Sequence, residues 1–133
     1  MKVRIADGED LEILSKHDHI NKDELSGLLS WKRILIAEVD NRFVGWLRYN
    51  LFWDMIPFMN MLYFIDEERG KGYGRRLVGD WEERMRRAGF KSVMTSTVSE
   101  EYSQHFYVKL GYKTIGGFTL PGEPYEIMML KTL

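Results

Sequence analysis

Residues 69–74 read Arg69-Gly70-Lys71-Gly72-Tyr73-Gly74. Glycines at alternate positions let the main chain turn tightly and present successive N–H groups to an anion. An apolar run over 59–65 precedes them and reads as a strand buried on both faces. After them Leu77, Val78, Trp81, Met85 and Ala88 recur at three- and four-residue steps up to Gly89, which predicts a helix. A glycine loop between strand and helix also gains the unpaired N–H donors and the positive dipole end of the helix start, so the chemistry it suits is phosphate binding. Two other phosphate loops fail on spacing. No Gly stands three residues after Gly72 or Gly74, as a dinucleotide fingerprint needs, and no Gly-Lys-Ser/Thr closes a nucleoside triphosphate loop.

Other chemistry is narrowed by composition. With no cysteine in 133 residues, disulfides, thiolate metal sites and a cysteine acyl-enzyme are excluded. The pair His17 and His19, two residues apart with no third soft ligand nearby, reads as a polar turn, and no metal is expected. The net charge of −1 argues against sequence-independent nucleic-acid binding. Locally, residues 69–91 hold eight Lys/Arg against three acids, a balance of +5 that leaves −6 elsewhere. That split suits a phosphorylated cofactor on the basic segment and a cationic acceptor elsewhere. It also suits a solvated helix with pairs at Asp80/Arg84, Glu82/Arg86 and Glu83/Arg87, and both can hold.

The elements that must position the loop follow from pattern. Residues 3–6 alternate as an edge strand, Asp7 caps a helix through Leu11, Ile13 and Leu14, and Asn21 with Glu24 opens a second helix through Leu25, Leu28 and Leu29. Residues 33–40 and 42–52 form a hairpin turned at Asp40-Asn41, and the segment after it leads to the next strand with Pro57 marking a break or an edge. Residues 92–98 read as a strand, Ser99 as the cap of a helix over 100–110, and 112–119 with 125–130 as a final hairpin. Nothing approaches a membrane span or a secretory leader, so one cytoplasmic domain over 1–133 is expected. Exposed edges in the final hairpin allow a homodimer.

Three motifs in order resemble one family. Arg69-x-x-Gly72-x-Gly74 is similar to the Arg/Gln-x-x-Gly-x-Gly/Ala motif of the GNAT superfamily of N-acetyltransferases. Leu62-Tyr63-Phe64-Ile65-Asp66 resembles its fourth strand, and Phe106-Tyr107-Val108-Lys109-Leu110-Gly111-Tyr112 its Phe-Tyr-x-Lys-Leu-Gly-Phe signature. The resemblance implies an α+β fold, a mixed and mainly antiparallel central sheet with helices on both faces. It also implies transfer of acetyl from acetyl-CoA to a primary amine of a small molecule or peptide. Acetyl-CoA would be held by Arg69, Gly70, Lys71, Gly72, Tyr73, Gly74 and Arg75, and its pantetheine arm by the main chain of Leu62, Tyr63 and Phe64.

Tyr107 maps onto the family's proton donor to the leaving thiolate; taken alone it is also a buried packing aromatic. No acid stands at Asn60 or in 92–98, where family members carry a base, so Glu100, Glu38, Asp54 or a water chain remain open. The acceptor is expected beside Trp31, Trp46 and Trp53, aromatics with polar tips suited to an amine-bearing side chain. A non-catalytic acyl-CoA sensor is the alternative, motivated by Asn60. A nucleic-acid binder using the Arg-rich helix ranks below both.

Overall fold

The computed structural model describes residues 1–133. By contacts the chain divides into two compact units, Met1–Asn50 with Met61–Trp81, and Leu51–Asn60 with Glu82–Leu133. Seven strands lie in the order β1-β2-β3-β4-β5-β7-β6.

The first unit holds β1 (Lys2–Ile5), α1 (Leu11–His17), α2 (Lys22–Ser30), β2 (Ile34–Val39), most of β3 (Arg42–Phe52), the end of β4 (Ile56–Phe64) and the start of α3 (Tyr73–Arg87). Asp7 caps a 3-10 turn, Gly8–Asp10, rather than α1 directly. Its carboxylate accepts the Glu9 N–H at 2.9 Å, and Asp10 returns the contact by accepting the Asp7 N–H. Asn21 caps α2 by accepting the Glu24 N–H at 2.9 Å. Asp40 and Asn41 both have positive φ, 52° and 61°, which matches the twist of a two-residue hairpin. β1, β2 and β3 are antiparallel, with Ile5 opposite Leu35 and Leu35 opposite Leu47. Side chains alternate across this sheet. Ile34, Ile36 and Trp46 pack with Leu14, Leu25, Leu28 and Leu29 of the first two helices, and on the other face Tyr49 meets Trp81 of α3, ring centroids 5.7 Å apart.

The second unit holds β5 (Ser92–Val98), α4 (Ser103–Lys109), β6 (Lys113–Phe118) and β7 (Glu126–Thr132), with the start of β4 and the end of α3. β7 runs antiparallel between β5 and β6. β4 pairs with β5 in parallel at only two positions, Phe58 with Met94 and Met59 with Thr95.

Four sequence expectations are corrected. The break before β4 lies at Trp53-Asp54, both at positive φ, where the Met55 N–H bonds the Phe52 carbonyl at 3.0 Å, and Pro57 sits inside the strand. α4 begins at Ser103, because the Ser99 N–H is bonded to the Tyr125 carbonyl at 2.8 Å and its own carbonyl accepts from Gln104, so neither group opens a helix. Ala88 is exposed: Gly89, at φ +98°, already ends α3 with the Phe90 N–H closing back on Met85. Glu82 makes no pair with Arg86. It is buried against Tyr112 and Lys131, while Arg86 and Arg87 both bond Glu83.

Candidate active site

The glycine loop belongs to the first unit. Gly70 and Gly72 adopt φ of +76° and +82°, where an L side chain is strained. A Cβ on either would meet no atom within 4 Å. The glycines are therefore required by backbone conformation and border open space. The first bond of α3 is Arg76 N–H to Gly72 O at 3.3 Å, and the N–H groups of 70–75 ahead of it donate to no carbonyl of the chain. Six donors with no carbonyl partner at the head of a fifteen-residue helix suit an anion by hydrogen bonding and dipole together.

The loop's side chains mostly hold the loop. Arg69 Nε donates to the Phe64 carbonyl at 2.9 Å, its guanidinium lies 3.1 Å from Asp66, and it covers the Tyr63 ring at 4.8 Å. Lys71 bonds the buried Glu68 at 3.0 Å, and Glu68 raises the lysine pKa. Arg76 reaches the Met1 carbonyl. Of these cations Arg75 and Arg76 carry no paired charge, and both are exposed. Of the residues expected to bind cofactor, then, Arg69 and Lys71 brace the turn, and the turn's N–H groups are left without carbonyl partners. Tyr73 packs its ring against Phe64 at 6.1 Å, and Leu62 and Tyr63 are half-buried. The donor set fits the pyrophosphate of a coenzyme A.

Tyr107 belongs to the second unit, on α4, and is 7% exposed. Its ring meets Tyr112 edge-on at 5.5 Å, and on β5 Thr95 Oγ1 donates to the Met59 carbonyl at 3.0 Å. Met59 with Thr95 is the last β4–β5 pair, beyond which residues 60–64 of β4 continue. Burial pushes the Tyr107 pKa up, Thr95 opposes this, and Glu101 adds to it, for a value of about 12.

The candidate bases are dispersed. Glu38 is bonded to Arg4 at 3.1 Å, Asp54 lies in the β3–β4 turn, and Glu100 is exposed on the turn ahead of α4. The acceptor aromatics are also displaced. Trp46 is 1% exposed, and its indole N–H donates to Asp18 at 3.0 Å, so it offers no face to a substrate. Trp31 is exposed but precedes β2, where Arg33 O accepts from Tyr49; the loop end of the same sheet is marked by the Ile65 N–H bond to Val44 O. Five residue steps along β3, from Val44 to Tyr49, separate those rungs by on the order of 16 Å and put Trp31 at the opposite end of the sheet. Trp53 likewise lies in the turn before β4, with the loop after that strand's other end.

What the sequence reading missed lies beside Tyr63. Asp18, a turn residue by pattern, has a fully buried carboxylate that accepts from Arg48 at 2.7 and 3.0 Å and from Trp46. The Trp46 ring in turn packs 4.9 Å from Tyr63. Arg48 inside an apolar strand was the one available signal. No group of three or more His, Cys, Asp or Glu is placed to hold a metal ion, and no helix is long and apolar enough to cross a membrane.

A strand, a glycine turn and a helix start with unpartnered N–H groups, in a mostly antiparallel seven-stranded sheet, match the acyl-CoA N-acyltransferase class of fold. Residues 7–112 match the Acetyltransferase (GNAT) family, and the chain belongs to it. No curated protein matches the chain in sequence. Among solved structures it is similar to PaiA N-acetyltransferase from Thermoplasma acidophilum in complex with coenzyme A, at 17% identity over 99% of this chain and 98% of that one, TM-score 0.81. It is also similar to ribosomal-protein-alanine N-acetyltransferase from Brucella melitensis, at 18% identity over 100% of both chains, TM-score 0.85. N-acetylglutamate synthase from Neisseria gonorrhoeae, complexed with coenzyme A and N-acetyl-glutamate, shares 16% identity over 99% of this chain but 35% of its own, TM-score 0.79. At these identities the likeness is one of fold.

Proposed function

We propose that the protein transfers an acetyl group from acetyl-CoA to a primary amine of a small molecule or peptide, by direct attack in a ternary complex. The observation that carries this is the row of N–H groups at 70–75 without carbonyl partners at the head of α3. These donors hold the pyrophosphate, with Arg75 free to meet a phosphate charge, and the main chain of 62–64 runs along the pantetheine arm. Bound acetyl-CoA supplies a thioester whose carbonyl carbon an amine can attack and whose sulfur then leaves.

The protein's own chemical contribution is a proton. Tyr107, with its pKa pushed up to about 12, is protonated at neutral pH. It gives its hydroxyl proton to the departing thiolate and recovers one from solvent. With Glu38 bonded to Arg4 and Glu100 exposed, the nucleophile is the amine's neutral fraction, losing its proton to water.

The test is thiol release from acetyl-CoA in the presence of glycinamide, lysine, spermidine or a peptide with a free N-terminal alanine. Calorimetric binding of acetyl-CoA follows in parallel. Binding with amine-dependent thiol release supports the enzyme, binding with no release from any amine supports the sensor, and no binding removes both.

A further inference from the structure

In the second unit the two faces of the sheet are unlike. β5 and β7 pair without a break from Ser92–Thr132 to Val98–Glu126, so their side chains alternate regularly between the faces. Lys131 lies on one face. It is bonded at 2.8 Å to Glu82 of α3, and Glu82 accepts the Tyr112 hydroxyl at 2.8 Å. The Tyr112 ring meets Tyr107 of α4 edge-on, so both helices of this unit are tied to that face, and the proposed proton donor with them.

Glu126, five residues before Lys131 on β7, lies on the other face. It stands opposite Val98 of β5 and Phe118 of β6, and Met128 follows it there, opposite Ser96. Glu126 is half-buried, and Ser96 Oγ donates to its Oε2 at 2.7 Å. That hydroxyl is the carboxylate's one partner, and no Lys, Arg or His of the chain pairs with it. A carboxylate partly withdrawn from water among Val, Phe and Met without a counter-charge is costly, and a cation brought to it offsets that cost.

Its place is as telling as its charge. Ser96 is the first residue of β5 beyond the last β4 pair, Met59 with Thr95. By bonding Ser96 rather than its own rung partner Val98, Glu126 is drawn toward the point where β4 and β5 stop pairing. An amine that adds to a thioester and a donor that protonates its sulfur need separate room. With the donor held on the Lys131 face, the Glu126 face is left to the acceptor.

We propose that Glu126, held by Ser96, determines acceptor specificity by seating a second ammonium group, so that the preferred acceptors are alkyl diamines and polyamines rather than monoamines. This rests on the acetyltransferase reading above. Phe118 and Met128 beside the carboxylate suit the alkyl chain between two ammonium groups, and the balance of −6 outside residues 69–91 favours a polycation.

The experiment compares spermidine with glycinamide, which carries a single amine, in thiol release by wild type, Glu126→Gln and Ser96→Ala at low and high salt. Wild type should favour spermidine by about tenfold or more in kcat/KM, as for a hydrogen bond to a charged group, with a spermidine KM that rises with salt. Glu126→Gln keeps the shape and loses the charge, so the preference should vanish through a higher spermidine KM, with a weaker salt dependence; Ser96→Ala should fall between, and carries the comparison if Glu126→Gln does not fold. Wild type that uses glycinamide as well as spermidine, or a Glu126→Gln protein that keeps the preference, overturns the proposal. So does a wild-type dimer in sedimentation that Glu126→Lys dissolves, which gives this face to a second copy of the chain. Wild type that binds acetyl-CoA but releases no thiol with any amine removes the acetyltransferase reading instead. Calorimetric binding of spermidine that weakens in Glu126→Gln then still supports the seat, and binding that is equal or absent overturns it.

Discussion

Gly45 on β3 is the position where a single methyl group should reach the cofactor strand. It is buried opposite Ala37, and a Cβ there would lie 2.5 Å from both Tyr63 O and Phe64 Cδ1 and 2.8 Å from Phe64 Cε1. Ordinary contact begins at 3.4 Å, so the obstruction is about 0.9 Å deep, and one of the atoms met is main chain. The main chain cannot turn aside as a side-chain end could. Ile65 is bonded to Val44 at 2.9 Å, and the Phe64 carbonyl is held by Arg69 at 2.9 Å, so the methyl must push residues 63 and 64 outward together.

Overpacking of this kind costs roughly 1–3 kcal/mol, and a displacement near 1 Å in the strand that aligns the thioester can lower turnover by up to ~100-fold. The assay is urea unfolding of Gly45→Ala beside calorimetric acetyl-CoA binding and kcat. Gly27→Ala serves as the control: it lies inside α2 with no atom within 4 Å of its Cβ and should stabilise by about 0.5–1 kcal/mol. A Gly45→Ala protein with wild-type unfolding midpoint, affinity and kcat would refute the reasoning.

Three further predictions rest on separate features. Gly72→Val places a β-branched side chain at φ +82°, in the open space the N–H row faces, and should abolish acetyl-CoA binding while circular dichroism stays native; calorimetry decides. Tyr107→Phe removes the donated proton and little volume, so kcat should fall by roughly 10² or more with acetyl-CoA affinity within a few fold, in an assay where chemistry limits the rate. Asp18→Asn leaves the buried Arg48 without its counter-charge and should cost about 3–5 kcal/mol in urea unfolding. Burial acts to raise the Asp18 pKa, but the hydrogen bonds and charge of Arg48 and the bond from Trp46 outweigh it and hold the group below its ordinary value. Its contribution is therefore present above the unfolded pKa near ~4 and is lost as pH falls through the lower folded value. Wild type should lose stability on acidification below about pH 4 more steeply than Asp18→Asn, and parallel curves would count against the assignment.

Local chemistry along the chain was enough for the elements and for the loop. Strand and helix periodicity, the Asn21 cap, the Asp40-Asn41 turn, and the glycines at 70 and 72 whose positive φ no other residue takes easily are all properties of short stretches, and the structure shows each of them. The misjudged details were those where a distant partner outweighed the local preference. Ser99 was claimed by Tyr125 and Glu82 by Tyr112 and Lys131, at separations no local pattern records.

The aromatic acceptor wall failed for a related reason. Nearness in sequence placed Trp31, Trp46 and Trp53 together, but strand register sends Trp31 to the far end of the sheet, puts Trp53 in a turn and buries Trp46 on Asp18. The site's chemistry divides along the same line. The proposed phosphate site, a row of consecutive N–H groups, is written into six adjacent residues and so is legible in the sequence alone. What holds Tyr107 is not local: its ring meets Tyr112, whose hydroxyl donates to Glu82 on a different element, a contact that exists only once α3 and the last strands pack; that was decided by the tertiary structure.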